Sequence, residues 1–318
     1  MIAGLYPHTI RYRAVEKTHI FAGNPLDRAD RQRRDPAWIE AAYRDPNSQV
    51  LAFSQLNVLI DSSAGAQLAW VGATRIAQLA VDVPPVFLGL RNGIAHFALD
   101  ISSVGDPVHE LGLDETRSFQ DARMTAMALP IADTGIVAQS RAQLDWHRRH
   151  RFCSACGEPT TSGKGGHVRS CAACKAEHFP RTDPVAIMLI TDGDRCLLGQ
   201  SAGPMVRMGM YSALAGFIDQ GESIEEAVRR EVREEAGIEV GAVHYHSSQP
   251  WPFPSSLMIG CHGAALSQEI HMDTEEMADV SWFDRADILA AFADKHARLK
   301  LPGPLAIAHH LIKAWVEG

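Results

Sequence analysis

Hydrophobic positions recur along this chain in two rhythms. Between Gln49 and Ile101 they come in short runs, QVLAFSQLNVLI, QLAWV, VFLGLR and IAHFALDI, whose lengths and β-branched content suit strands. Asn92-Gly93 joins the last two runs with the residue pair that a type I′ turn requires, so a β-hairpin is predicted there and an antiparallel sheet in the first domain. His96, on an alternating strand of that hairpin, reads as a packed or surface histidine rather than a ligand. Glu115 to Leu129 and Thr134 to Arg149 change to helical spacing. Strand rhythm returns in PVAIMLIT and RCLLGQS around an Asp192-Gly193 turn, then in Tyr211 to Phe217, Ala242 to Ser247, Leu257 to Leu266 and Val280 to Phe283. Pro304 to Val316 closes as a helix. Before Gln49 the chain is polar, with mixed charges from Asp27 to Asp35, and reads as surface structure or a loose arm. The expected class is α+β.

One helix breaks the rule that apolar residues face inward. In GFIDQGESIEEAVRREVREEAGI, Gly216 and Gly221 punctuate the entry, Ser223 caps, and Gly237 stands where a C-terminal glycine cap belongs. Ile224, Ala227 and Val228 define an apolar stripe, and its continuation lands on Glu231, Glu234 and Glu235. Two such carboxylates about 6 Å apart repel by about 3 kcal/mol at an effective dielectric near 20, so the cluster calls for cations or protons. Oxygen-only ligands select magnesium or manganese. A solvated charged face is the ordinary fate of a Glu/Arg-rich helix, but the angular position argues against it here. The spacing also matches the Nudix box at each specified position, from Gly216 through Glu222, Arg230, Glu231, Val232, Glu234, Glu235 and Gly237 to Ile238. The chain therefore resembles the Nudix hydrolases, which cleave nucleoside diphosphates linked to another group.

Cysteines add a second metal. Cys153-Ser-Ala-Cys156 and Cys171-Ala-Ala-Cys174 flank a glycine-rich loop, the spacing of a zinc ribbon. Four thiolates fill all four positions of a tetrahedral ion, so one structural zinc is expected. Cys196 and Cys261 sit in apolar runs and read as core. With 318 residues, three modules are expected: residues 1–149 as an N-terminal α+β domain, 150–180 as the ribbon and 181–318 as a Nudix domain. The start MIAGLYPHTIRYR lacks the order of a secretory signal, no run approaches a membrane span, and paired thiols suit a reducing compartment. Cytoplasm is the expected location, with no membrane partner. A net charge of −8 opposes binding to nucleic acid through a global field, while His147 to Arg151 and Arg169, Lys175 and Arg181 offer local basic charge.

Between two predicted strands lies SQPWPFPSS, Ser248 to Ser256. Its three prolines predict an extended backbone holding Trp251 and Phe253 as a rigid aromatic platform. This string is similar to the signature of the NADH pyrophosphatases, also known as NAD-decapping hydrolases, in which an N-terminal domain and a zinc ribbon precede the Nudix domain. That resemblance implies a Nudix-fold mixed sheet with helices and hydrolysis of the pyrophosphate of NADH or NAD to NMN(H) and AMP. It implies that Glu231, Glu235 and Glu276, the Ala215 carbonyl and Glu234 hold two or three Mg²⁺ or Mn²⁺ ions. Glu235 or Glu234 would take the proton from water, assisted by Glu276, and Glu222 with Arg230 would form a supporting ion pair. Gln249, Pro250, Trp251, Pro252, Phe253, Pro254, Ser255 and Ser256 would line the dinucleotide pocket, with Phe179, Phe217 and Ala308. Phe179 stands where the family commonly has Tyr, which removes a hydroxyl, and Asp279 where it often has Glu. The resemblance further implies a homodimer. NAD-capped RNA is the alternative substrate, and a non-enzymatic nucleotide sensor the reading from another class, opposed by the intact set of carboxylates.

Overall fold

The computed structural model describes residues 19–318, so the reading of the first residues as free of a leader lies outside the described residues. Two compact units divide the chain. Ile20–Thr182 and the short piece Pro250–Ser256 form one; Asp183–Gln249 and Leu257–Gly318, with His19, form the other. Among the described residues no helix is long and apolar enough to cross a membrane.

The first unit is built on a seven-stranded sheet. Its main path runs through Gln67–Leu68, Asn57–Asp61, Gln49–Ser54, Ile94–Asp100 and Val86–Arg91. Asn92 and Gly93 take φ of 52° and 79° in the hairpin turn. Gln49–Ser54 pairs parallel with Ile94–Asp100, so the sheet is mixed where an antiparallel one was expected. His96 is buried, its ring edge-on to Trp70 and its Nδ1 within 3.0 Å of the Ile94 carbonyl oxygen.

Of the two readings of the charged stretch before Gln49, its described part is surface structure and not a loose arm: Asp30–Arg33 and Pro36–Arg44 are helices without buried residues, the second capped by the Asp35 carboxylate with Pro36 in its first turn. Trp38 and Tyr43 from that helix pack edge-on against Phe87 and Phe97, 5.5 and 5.2 Å between centroids. Another expectation fails: Glu115 to Leu129 is not a helix. Arg117–Gln120 is a strand paired antiparallel with Asn57–Asp61, followed by the single turn Ala122–Thr125. The carboxylates of Asp114 and Asp121 accept from the backbone N–H groups of Thr116 and of Arg123 and Met124, fixing turns where propensity favoured a continuous helix. The long helix, Ile131–Arg149, follows.

A three-stranded sheet of Thr160–Gly163, Val168–Cys171 and Glu177–His178 carries the cysteine pairs. Its one-turn connection Lys164–Gly166 lies against the larger sheet. A Cβ at Gly165 would stand 2.9 Å from that of Phe87, and one at Gly166 would stand 3.1 Å from both methyls of Val86.

The second unit has three layers. Its sheet order is Val240–Trp251, Ser256–Ala265, Asp183–Asp192, Arg195–Ser201 and Met277–Asp284, with Leu214–Phe217 pairing on Asp183–Asp192. Asp183–Asp192 alternates perfectly: Ala186, Met188 and Ile190 enter the core under the helix Ile224–Ala236. Ile187 and Leu189 enter the opposite core, under Arg285–Phe292 and Ile307–Glu317. Burial on both faces explains why its sequence reads as an unbroken apolar run. Cys196 and Cys261 are buried in these cores.

Candidate functional site

Local chemistry places the carboxylates. Ser223 and Glu226 form a reciprocal capping box at the start of Ile224–Ala236, and Gly237, with φ 71°, ends the helix in the left-handed region that a side chain disfavours. Ala227, Val228, Val232 and Ala236 are fully buried, which fixes the rotation of the helix about its axis. Glu235 is thereby carried inward and only 7% exposed. Glu231 is brought against the strand Leu214–Phe217, so closely that a Cβ on Gly216 would stand 1.8 Å from its carboxyl carbon. Any side chain at 216 would evict that carboxylate. Ala215, whose carbonyl was the expected oxygen ligand, is the residue before Gly216 in the same strand.

Burial and mutual repulsion dominate the electrostatics of the cluster. Burial, then the charges of Glu231, Glu276 and Glu234, push the Glu235 carboxyl up to about 8. Among the described residues its buried Oε2 has no hydrogen-bond partner. Burial likewise raises Glu231, against the opposing pull of Arg230. Hard oxygen donors, one of them orphaned and buried, fit a divalent cation of the magnesium class. Arg230 braces the cluster. It donates to Glu222 through Nε at 2.6 Å, to Glu231 at 2.8 Å, to Glu234 at 3.0 Å and to the Phe217 carbonyl at 2.8 Å. Its hydrogen bonds hold Glu222 down at about 2. Glu234 differs from Glu231 and Glu235, with a side chain 56% exposed and paired with Arg230. Glu276 is exposed in the turn before Met277–Asp284, near enough to raise both Glu231 and Glu235. Asp279 accepts from the Tyr211 hydroxyl at 2.5 Å.

In the ribbon, all four cysteine sulfurs lie within 4.8 Å of one another, and Cys153–Cys174 and Cys156–Cys171 are each 3.5 Å apart. That is far longer than a disulfide and close to the edge, about 3.8 Å, of a tetrahedron of sulfurs around zinc. The donor set fits zinc. His178 was missed by sequence reasoning: its Nε2 lies 3.2 Å from Cys153 Sγ, positioned to donate to a thiolate. No motif spacing marks it.

The expected pocket residues are distributed over both units. Gln249 is fully buried in the second, donating to the Leu305 carbonyl and accepting from the Ile307 N–H, each at 2.8 Å. Ala308 is packed in the core beneath the sheet, and Phe217 is 60% exposed. In the first unit Phe179 is 59% exposed. Pro250–Ser256 belongs to that unit as well. There Phe253 packs on the apolar core that includes Leu26, Leu51 and Phe53, edge-on to Phe21 and Trp251. Arg141 and Arg123, both absent from the sequence reading, stand over the rings of Phe253 and Trp251, 4.5 and 5.2 Å from their centroids.

Basic residues near the ribbon are largely engaged within the chain. Burial holds His147 down to about 4, and Arg148 and Arg149 both pair with the buried carboxylate of Asp145. Arg169 is 8% exposed and donates to the hydroxyl and carbonyl of Thr160. The patch expected from His147 to Arg151 is therefore structural for most of its length.

Three family models match successive stretches of the chain: an NADH pyrophosphatase-like rudimentary NUDIX domain over residues 47–146, an NADH pyrophosphatase zinc ribbon domain over 148–179, and a NUDIX domain over 180–301. The chain is 33% identical over 356 residues to the NAD-capped RNA hydrolase NUDT12 of Homo sapiens, covering 99% of this chain and 77% of that protein. It is 41% identical over 243 residues to the mitochondrial NAD(P)H pyrophosphatase NUDT13 of Homo sapiens, covering 70% and 68%. It is 35% identical over 302 residues to the NAD-capped RNA hydrolase NudC of Mycobacterium bovis (strain BCG / Pasteur 1173P2), covering 91% and 92%.

Proposed function

Because this chain belongs to the zinc-ribbon NADH pyrophosphatase family of Nudix hydrolases, we propose that it splits the pyrophosphate of free NADH or NAD into NMN(H) and AMP. It is an enzyme acting on a phosphoric anhydride. The observation that carries the reading is the crowded carboxylate site, in which Glu231 lies against Gly216 and Glu235 is buried with an orphaned oxygen. Glu231, Glu235 and Glu276, with the Ala215 carbonyl and Glu234, would hold two or three Mg²⁺ or Mn²⁺ ions, which when bound supply charge neutralisation at the phosphates and a water of lowered pKa. Glu235 is buried beside Glu231 whereas Glu234 is exposed, which favours Glu235 as the base. Arg230, held by Glu222, keeps Glu231 and the entry loop in place.

Gln249 and Pro250 to Ser256, with Phe179, Phe217 and Ala308, are proposed to recognise the dinucleotide; among the rings, Phe179 and Phe217 are the exposed ones, open to stacking. One structural zinc on the four cysteines, a homodimer, a cytoplasmic location and the three modules 1–149, 150–180 and 181–318 complete the proposal. NAD-capped RNA is the second reading, favoured by the names of the NUDT12 and NudC relatives. Engagement of Arg148, Arg149 and Arg169 within the chain, with the net charge of −8, argues for the free dinucleotide. Turnover decides between them: purified protein with Mg²⁺ should release AMP and NMNH from NADH, and chelation should abolish it. Activity on NAD-capped RNA alone would replace the first reading by the second.

A further inference from the structure

The tip of the hairpin between Val240–Trp251 and Ser256–Ala265 has an unusual allegiance. By sequence it lies inside the Nudix domain, yet Pro250–Ser256 is part of the unit formed by Ile20–Thr182. What holds it there is specific. Arg141, from the middle of the helix Ile131–Arg149, donates through Nη1 to the Pro252 carbonyl oxygen and lays its guanidinium 4.5 Å from the Phe253 centroid. Arg123 lays its guanidinium 5.2 Å from the Trp251 centroid, and Phe21 meets both rings edge-on at 5.9 and 5.6 Å. Within the tip, Phe253 N–H donates to the Trp251 carbonyl at 2.8 Å, closing a tight turn.

Arg141 is the informative residue. It is half-buried, and among the described residues no carboxylate oxygen lies within ion-pair distance of it. A guanidinium withdrawn from water normally takes an acid as partner, as Arg230 does with Glu222. Here the carboxylates of Asp145 and Asp121 act only from a distance, and the direct contacts are one carbonyl and one aromatic face, supplied by Pro252 and Phe253. That choice has a clear value for geometry. A planar fork fixes the carbonyl and the ring in one relative orientation, which a flexible ammonium cannot do.

We infer that Arg141 is a positioning residue for the substrate loop: the rudimentary Nudix domain acts on the reaction by holding Pro252 and Phe253 in their binding conformation. The inference rests on the reading of Pro250–Ser256 as part of the dinucleotide pocket. Arg141 does not touch the carboxylates, so its loss should change binding and leave the phosphate chemistry intact.

The test compares the parent with Arg141→Met, which keeps an apolar arm over the ring, and Arg141→Lys, which keeps charge without the fork. KM and kcat for NADH are measured with saturating Mg²⁺, together with melting temperature and hydrogen exchange at the Phe253 amide in substrate-free protein. Arg141→Met should raise KM about tenfold, change kcat less than about threefold, and speed exchange at Phe253; Arg141→Lys should fall between. Unchanged exchange overturns the clamp. Faster exchange with an unchanged KM overturns its role in binding, and a parallel loss of kcat and melting temperature reduces Arg141 to a stabilising contact. If the parent itself hydrolyses no NADH, the proposed substrate falls, and exchange at Phe253 still decides whether Arg141 holds the loop.

Discussion

Among the described residues, the two longest helices both carry polar side chains into apolar surroundings, and they treat them differently. In Ile131–Arg149, Thr134 accepts from the Phe21 N–H and donates to the Ile131 carbonyl, Ser140 donates to Ile136, and Asp145 takes two arginines. Of its buried polar side-chain atoms, Gln143 Oε1 is the exception without a partner. In Ile224–Ala236 the buried Glu235 keeps an orphaned oxygen and three carboxylates crowd around it. The first pattern closes mostly on partners within the chain and makes a scaffold; the second gathers carboxylates whose repulsion a cation or a proton relieves.

Zinc removal should break the scaffold side of that contrast and has the largest expected effect. The ribbon's one-turn connection is packed against Phe87 and Val86, and His147 Nε2 lies 2.8 Å from the Gly166 carbonyl oxygen, which ties the metal site to the sheet of the first unit. Binding energies of structural zinc are on the order of 10 kcal/mol or more, so Cys153→Ser should misfold or strongly destabilise the protein rather than merely slow it. One zinc per chain should survive purification. Metal analysis finding none in active protein would remove the ribbon assignment.

On the catalytic side, Glu235→Gln keeps the shape of the residue and deletes its charge. kcat should fall about a thousandfold, roughly 4 kcal/mol of transition-state stabilisation, while metal-free stability stays the same or rises. pH sharpens the point. The folded-state value of Glu235, about 8, lies above its ordinary 4.5, so the folded protein binds the extra proton. Metal-free stability should therefore decline as pH rises from about 4.5 towards 8 and level off above. Glu235→Gln and added Mg²⁺ should each flatten that slope. Calorimetry with chelator showing equal slopes in parent and variant, or near-normal turnover in the variant, would place the chemistry elsewhere.

How much of this was legible in the sequence depended on how local the cause was. The helix Ile224–Ala236 could be read residue by residue, because a capping box, a glycine C-cap and an apolar stripe all lie within its own length. Glu115 to Leu129 was misread because pairing with Asn57–Asp61, about 56 residues away, and two aspartate-capped turns overrode local propensity. The aromatic loop was legible as a motif, but not its surroundings. Arg141 meets Pro252 across 111 residues, and His178 meets Cys153 across 25, separations that no periodicity encodes. Glu234 illustrates a subtler limit: at 100° per residue it lies at the edge of the inward stripe, and only Arg230 shows that it faces out.

The smallest expected effect lies at the loop that both halves share. Had Trp251 and Phe253 formed a free-standing platform, Phe253→Ala would have spared folding. In the structure Phe253 is half-buried against the first unit's core with Arg141 over one ring face, so the substitution should cost about 1 to 3 kcal/mol of stability. The same range, from stacking or from loss of the loop's conformation, should appear in binding and raise KM for NADH about tenfold, with kcat little changed. ADP-ribose, which lacks the nicotinamide ring, then locates the effect. A smaller loss of kcat/KM with ADP-ribose than with NADH would place the nicotinamide on the loop, whereas equal losses would point to the adenine end or to the loop's conformation as a whole. Trp251 is held by the exposed Arg123 and lies farther from Phe21, so Trp251→Ala should cost less stability than Phe253→Ala. If neither substitution alters KM for either substrate, Pro250–Ser256 is a structural strap between strands, and recognition of the dinucleotide rests on the exposed rings of Phe179 and Phe217 instead.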